Sequence, residues 1–169
     1  PNSEDLRIGV FICHCGTNIA GVINPAEVAE WASHLPGVVH ATEALYACAD
    51  SGQSLIKESI KKYNLNRVVV SACSVRMHEN TFRGAVQEAG LNPFLMEMAN
   101  IREQCTWAHG HDKPGAFKKA KDLTAAAVAK ARFLAESDRF AFREGGEVIG
   151  LLVGNPVDWS TYYWRSVAF

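Results

Sequence analysis

The chain has 169 residues, of which 48% are hydrophobic and 21% are charged, and its formal net charge is −1. This size and composition are typical of a single globular domain with a sizeable core. A near-neutral charge does not favour binding to nucleic acid or to an anionic membrane, since both attract basic surfaces. The apolar runs are much shorter than the roughly 18 residues of a membrane-spanning helix, so no membrane span is predicted.

The cysteines and the first residues indicate a compartment. Five cysteines are an odd number, and they lack the spacing of a secreted disulfide framework. The opening segment, PNSEDLR, is polar and acidic, unlike a secretory signal, and its lack of an initiator Met suggests processing or a fragment. These features predict a cytoplasmic protein whose cysteines are free thiols or metal ligands.

A strand and then a helix are predicted at the start of the chain. Residues 7–13, RIGVFIC, form a short apolar run that is typical of a buried strand. The helix that follows has Asn24 as a candidate N-cap and Pro25 at its first position. Glu27 is placed to reach back to the N-cap in a capping box.

Strand and helix signals continue to alternate through the middle of the chain. A second strand is predicted within residues 38–48, and Asp50 or Ser51 can cap the helix after it. Residues 67–73, RVVVSAC, contain three consecutive valines, which suit a strand that is buried on both faces.

The same alternation extends to a long last helix. Residues 76–90 predict a helix, residues 93–99 a fourth strand, and residues 114–136 a long helix preceded by Asp112. Strands that alternate with helices of this length indicate βαβ crossovers. We therefore predict an α/β domain over residues 6–136, with a small, open, mostly parallel, Rossmann-like sheet and helices on both faces.

The last part of the chain, residues 137–169, has a different pattern. It is aromatic and without helical period, so we predict an irregular tail in which EVIGLLVG could form one strand. The tail is either the truncated start of a flavin domain or disordered, and it lacks the glycine fingerprint of a dinucleotide-binding turn. Four aromatic residues in it are a candidate docking surface: Trp159, Tyr162, Tyr163 and Trp164.

Every cysteine follows a predicted strand. The five are Cys13, Cys15, Cys48, Cys73 and Cys105. Because the carboxyl ends of parallel strands lie along one edge of a sheet, we expect these residues to converge in the crevice where such folds bind ligands.

Several chemistries remain open for these thiols. An iron–sulfur cluster takes Cys ligands, usually four for [4Fe–4S], and a structural zinc would also take four thiolates, as in a zinc-stabilised interaction domain. The chain has no Cys-x-x-Cys pair, so spacing alone favours neither. Buried Cys also often fills space without any chemical role.

A third chemical interpretation is a thiol or persulfide enzyme centred on Cys73. This residue precedes a predicted helix N-terminus, which would lower its pKa, and His78 lies nearby in sequence. His14 is expected to point away from its two flanking cysteines, because alternate residues of a strand face opposite sides. His109 and His111 are near Cys105 and could tune or ligate a metal.

Three segments together resemble a known family. They are IGVFICHCGTNIAGVIN, the LYAC segment, and NRVVVSACSVRMHENTFRGAVQEAGLNPFLMEMANIREQC. Over residues 6–135 the chain resembles the N-terminal domain of the A subunit of CoB–CoM heterodisulfide reductase and its bacterial relatives. The resemblance implies an iron–sulfur and flavin electron-transfer protein of anaerobes. In hydrogenotrophic methanogens, this family couples disulfide reduction to ferredoxin reduction by flavin-based electron bifurcation.

The resemblance also implies site residues. The family's Cys-x-Cys-Gly falls on Cys13, Cys15 and Gly16, and its other three cysteines fall on Cys48, Cys73 and Cys105. We therefore predict one [4Fe–4S] cluster held by four of the five cysteines. In that prediction each of the last three supplies one thiolate, and Cys15 is preferred over Cys13 as the fourth. Gly16 would allow the backbone to approach the bound group closely.

The resemblance implies partners as well. Full-length members of the family carry a flavin domain, so FAD is expected in them, but its glycine-rich turn is absent from these 169 residues. We expect the chain to pass electrons to or from other heterodisulfide reductase-type subunits, a flavoprotein, or hydrogenase and ferredoxin donors. Alone, it is expected to be inactive.

Overall fold

The computed structural model of the chain describes residues 6–134, together with the strand residues 138–144 and 147–154. The chain divides into two compact units, residues 1–134 and residues 135–169. Among the described helices, none is both long enough and apolar enough to cross a membrane.

A four-stranded sheet lies at the centre of the first unit. Its strands are β1 (Ile8–Cys13), β2 (Val38–Ala44), β3 (Arg67–Ala72) and β4 (Met96–Asn100). They lie in the order β2-β1-β3-β4, and each neighbouring pair is parallel. The two central strands, β1 and β3, are buried along their whole length, which explains their nearly continuous apolar sequences.

Helices cover both faces of this sheet. They are α1 (Thr17–Ala20), α2 (Pro25–Ala32), α3 (Asp50–Lys62), α4 (Val75–Glu88) and α5 (Lys113–Ala131). Alternate residues of a strand point to opposite faces, and β1 shows this plainly. Ile8, Val10 and Ile12 pack with α2 and α5, whereas Phe11 packs with α3 and α4. The predicted parallel α/β architecture with two helical layers is confirmed.

The predicted helix starts are mostly confirmed, with differences in detail. Asn24 caps α2 and accepts a hydrogen bond from the Ala26 amide, and Asp112 caps α5. Glu27 does not reach back to a backbone amide. Its carboxylate instead accepts a hydrogen bond from the Asn24 side chain at 2.9 Å. The cap of α3 is Ala49, one residue before the predicted Asp50.

Other strand and helix boundaries differ from the predicted ones for local reasons. The fourth strand begins at Met96, because Pro93–Leu95 form a 3₁₀ turn capped by the Asn92 side chain. The last helix ends at Ala131, five residues before the predicted 136. A turn of π-helix, Arg102–Thr106, follows β4 and has no counterpart among the predicted elements.

The second unit contains an antiparallel pair of strands, β5 (Asp138–Glu144) and β6 (Glu147–Gly154). The strand β6 coincides with the predicted EVIGLLVG strand, whereas β5 was not predicted. Two glycines separate these runs in the sequence, which is a recognised hairpin signal. The predicted aromatic docking surface at Trp159 to Trp164 lies outside the described residues.

Candidate metal centre

The strand order decides which cysteines can be neighbours. Cys13 ends β1, and Cys15 lies in the turn directly after it. The loop that carries Cys48 follows β2 on one side of β1, and Cys73 follows β3 on the other side. Neighbouring strands are only about 5 Å apart, so these loops lie close together at one edge.

Cys13 is buried, and its sulfur accepts two backbone hydrogen bonds. The amides of Cys15 and Ala47 donate to Cys13 Sγ over 3.3 and 3.4 Å. Burial raises the pKa of the Cys13 thiol, the two amides oppose this rise, and the nearby Cys15 and Cys48 add to it. The sulfur is therefore desolvated but surrounded by donors that suit a thiolate.

Cys15 is held in an unusual backbone conformation. Its φ is +49°, in the left-handed region that few non-glycine residues adopt, and Gly16 after it has a φ of +58°. A side chain at Gly16 would stand 2.8 Å from the Tyr46 hydroxyl. Tyr46 therefore packs closely against Gly16, and the approach of this glycine to a bound group stays a prediction. Cys15 Sγ accepts a hydrogen bond from the Arg102 guanidinium at 3.0 Å.

Cys73 lies between β3 and α4 and is 5% exposed. Burial raises its thiol pKa to about 11, although Arg102 acts in the opposite direction. Cys15, Glu103 and Cys13 contribute further to the rise of this pKa, so Cys73 lies within electrostatic range of the two cysteines at the end of β1. Its environment opposes the free thiolate that a nucleophilic Cys73 requires.

Cys48 is the fourth thiol at this edge of the sheet. It is half-buried, its charge acts on Cys13, and its carbonyl accepts a hydrogen bond from the Gln53 side chain at 2.8 Å. The edge thiols, as we call this group, are Cys13, Cys15, Cys48 and Cys73. They lie at or just after the carboxyl ends of three strands, β1, β2 and β3.

Cys105 has different surroundings. It is fully buried in the core layer that contains α2 and α5, and its thiol donates a hydrogen bond to the Ala116 carbonyl at 3.1 Å. Burial raises its pKa to about 11, and Lys119 opposes this rise. The hydrogen bond of its thiol is with α5, none of the edge thiols contributes to the shift of its pKa, and its role as a ligand stays a prediction.

The geometry of the edge thiols bears on the type of metal group. In the described part of the chain, no three His, Cys, Asp or Glu side chains are gathered as one metal ion requires. A tetrahedral zinc site needs four ligands around one atom, at about 2.3 Å for sulfur. A [4Fe–4S] cluster instead takes one thiolate at each of four irons, so its ligands stand further apart.

The histidines near the cysteines have other partners. His14 Nε2 lies 2.7 Å from a Glu43 carboxylate oxygen on β2, and the His78 ring packs edge-on against Phe82. The His109 backbone amide donates to the Cys105 carbonyl. None of these contacts involves a cysteine sulfur.

Sequence reasoning missed the charged pair that follows β4. Arg102 and Glu103 are paired at 2.8 Å, and Arg102 also donates to Cys15 and to the Met77 sulfur. Burial disfavours the ionised Glu103 carboxyl, but the Arg102 hydrogen bond and nearby backbone amides outweigh it, so its pKa is held below its ordinary value. In the sequence, the pair is indicated by the adjacent Arg and Glu of NIREQC, shortly before a cysteine.

Comparison with known proteins gives consistent relatives. The chain is 60% identical over 131 residues to an iron-sulfur A subunit of CoB–CoM heterodisulfide reductase from Methanopyrus kandleri. It is 56% identical over 131 residues to a protein from Archaeoglobus profundus that is named as similar to the heterodisulfide reductase A subunit. It is 52% identical over 149 residues to the A subunit of the H2:CoB-CoM heterodisulfide,ferredoxin reductase of Methanothermobacter thermautotrophicus.

These matches are unequal in coverage. They include 78%, 78% and 87% of this chain but only 20%, 19% and 23% of the three relatives, in the same order. The chain therefore spans about a fifth of the length of the proteins it matches. No family model matches the sequence.

Proposed function

Because the chain belongs to the family of heterodisulfide reductase A subunits, we propose that it is an electron-transfer module with one [4Fe–4S] cluster. The names of the relatives support an iron–sulfur protein of a heterodisulfide reductase-type oxidoreductase. The type of cluster and the path of the electrons are our proposal. The observation that carries it is the placement of four cysteines at the carboxyl ends of three neighbouring strands of the sheet.

We assign the edge thiols as the ligands. All four donors are sulfur, as a [4Fe–4S] cluster requires. The backbone amides of Cys15 and Ala47 already donate to one of these sulfurs, and the Arg102 guanidinium donates to another. This assignment differs from the sequence-based one, because it uses both Cys13 and Cys15 and leaves Cys105 in the core.

A cluster at this edge would supply one-electron chemistry, and the protein would control its surroundings. Cys13 and Cys73 are 4% and 5% exposed, so water reaches their sulfurs poorly. Backbone and guanidinium donors stabilise negative charge on the ligand sulfurs. Because Cys13, Cys48 and Cys73 lie at the ends of three different strands, metal binding would also tie these parts of the edge together.

Reduction of a heterodisulfide requires two electrons, so we propose that the module works with partners. A flavoprotein, other heterodisulfide reductase-type subunits, or hydrogenase and ferredoxin donors would pair the electrons. The loops at the edge and the first turn of α4 carry exposed apolar side chains that suit contact with another protein. These are Leu45, Tyr46, Met77 and Trp107, which are 64%, 47%, 56% and 56% exposed.

The test is anaerobic assembly of the cluster in the purified chain, followed by absorbance and by iron and sulfide analysis. We expect broad visible absorbance and about four irons per chain. Cys73→Ser should lose most of the iron, whereas the matched variant Cys105→Ser should retain it. Full iron content in Cys73→Ser, or a colourless protein that binds one zinc, would contradict the proposal.

A flavin titration tests whether the chain depends on a partner for flavin chemistry. These 169 residues contain no glycine-rich dinucleotide turn, so FAD should not bind tightly, and the chain alone should not reduce a heterodisulfide. Stoichiometric FAD binding, or turnover without a partner, would show that the module does more than conduct electrons.

A further inference from the structure

Arg102 has a fixed position beside the edge thiols. Its Nη1 donates to Cys15 Sγ at 3.0 Å, and its Nη2 donates to Met77 Sδ at 3.0 Å and to Glu103 Oε1 at 2.8 Å. The guanidinium carbon lies 4.7 Å from the centre of the Trp107 ring. The side chain is 11% exposed, so its charge is poorly screened by water.

A ring of contacts holds this guanidinium in place. Trp107, on which it stacks, donates its indole N–H to the Asn18 side chain at 3.3 Å. Asn18 in turn donates its side-chain amide to the Cys15 carbonyl at 3.0 Å. The contacts therefore run from Cys15 through Asn18 and Trp107 to Arg102, and return to Cys15 through the N–H···S bond. This ring joins the turn after β1 to the turn after β4.

The backbone on the Arg102 side is fixed as well. The Asn100 side chain accepts hydrogen bonds from the amides of Arg102 and Glu103 at 3.2 and 3.0 Å. The other Glu103 oxygen, Oε2, is buried and has no hydrogen-bond partner within the described part of the chain. The negative charge of Glu103 is thus directed mainly at Arg102, and it offsets part of the positive charge that faces Cys15.

We propose that Arg102 is a positioning residue that sets the reduction potential of a group held by Cys15, with Glu103 limiting its effect. The inference rests on the proposed function, since it requires a cluster ligated by Cys15. One-electron reduction adds negative charge to the ligand sulfurs, and a donor with a positive charge stabilises that state. No bond forms or breaks and no proton moves, because a guanidinium stays protonated. Arg102 therefore raises the potential.

The experiment measures the midpoint potential of the reconstituted chain by a spectroscopic redox titration with dithionite as the electron source. Arg102→Gln should lower the midpoint potential by about 59 mV, which corresponds to a tenfold smaller equilibrium constant for one-electron reduction. Arg76→Gln removes the same charge from an exposed position on α4 and should leave the potential nearly unchanged.

A second pair of variants tests for a shift of the midpoint potential in the opposite direction. Glu103→Gln keeps the shape of the side chain but removes the charge that offsets Arg102, so the potential should rise. Glu79→Gln, which removes a carboxylate paired with Arg83, is its matched control and should shift the potential less. This pair decides the question if Arg102→Gln does not assemble a cluster. Iron analysis and thermal unfolding of each variant separate a change of potential from a loss of structure.

The outcomes distinguish the two proposals. If the unsubstituted chain assembles no cluster, the proposed function fails. If it assembles one, the inference about Arg102 is overturned by equal potentials in Arg102→Gln and Arg76→Gln. It is also overturned if Glu103→Gln does not shift the potential or lowers it.

Discussion

Cys13 ends β1 and Cys105 follows β4, and both thiols are buried, yet their sulfurs have opposite hydrogen-bonding roles. Cys13 Sγ accepts from two backbone amides, whereas Cys105 Sγ donates to the Ala116 carbonyl. A sulfur that accepts hydrogen bonds is stabilised as a thiolate, which is the form that binds metal. A sulfur that donates a hydrogen bond must be a protonated thiol. This difference supports our proposal that the edge thiols are the ligands and that Cys105 has a packing role.

The surroundings of the two residues differ in the same way. The edge at Cys13 is made of loops with exposed apolar side chains and the Arg102 guanidinium. The layer at Cys105 is made of close-packed helices, and its buried polar pair, Ser71 and Thr124, is satisfied internally at 2.9 Å. Being buried is therefore not enough to identify a ligand; the direction of the hydrogen bond is the more informative observation.

The largest loss of stability is expected from a substitution in the loop that supports Cys13. A side chain at Gly52 would clash with the backbone of Tyr46 and Ala47, and the Ala47 amide donates to Cys13. Gly52→Ala should destabilise the protein by about 3 kcal/mol and displace this loop. Gly84→Ala is the matched control: its site is open, and the change should stabilise helix α4 by about 0.5–1 kcal/mol. Urea unfolding measures both, and equal effects would contradict this account of the loop.

A smaller loss is expected in the layer that contains Cys105. Ser71→Ala leaves the buried Thr124 hydroxyl without its partner, which should cost about 1–3 kcal/mol. Adding Thr124→Val should restore much of that stability, because neither hydroxyl then needs a partner. The unfolding free energies of the two single variants and the double variant test this. A double variant whose losses simply add would argue against the Ser71–Thr124 bond.

The two compared cysteines can be exchanged for alanine directly. Cys105→Ala should reduce stability by about 1–2 kcal/mol, since it removes a fully buried side chain, and should leave the iron content unchanged. Cys13→Ala should instead lose most of the iron. Iron analysis beside urea unfolding separates the two effects. Loss of iron in Cys105→Ala would restore the sequence-based assignment of this residue as a ligand.

The smallest effect is a dependence on pH in the metal-free protein. The pKa of Cys105 is raised from 9.0 to about 11, so the folded chain keeps this proton while the unfolded chain releases it. The stabilisation is complete below pH 9 and is lost as the pH rises toward about 11. Cys105→Ala should show a shallower loss of stability over this range. Parallel pH profiles in unfolding experiments on the two proteins would contradict the assignment.

Local sequence predicted much of the fold. The apolar runs indicated the four parallel strands, and Asn24 and Asp112 marked helix starts that the structure confirms. These features depend on neighbouring residues, such as a side chain that caps an amide two or three positions later. The placement of every cysteine after a strand had the same origin. Predicted boundaries were wrong where another local structure formed, as at Pro93, which begins a 3₁₀ turn where the strand was predicted.

The grouping of the cysteines and the position of Arg102 depended on tertiary structure. Arg102 contacts a sulfur 87 residues earlier in the chain. The strand order β2-β1-β3-β4 sets which loops are adjacent, and the π-helical turn after β4 carries the Arg102 that contacts Cys15. Sequence spacing placed Cys105 at the same edge as the others. In the structure its thiol donates to the Ala116 carbonyl of α5, a contact with a helix that begins eight residues later in the chain and that spacing did not indicate.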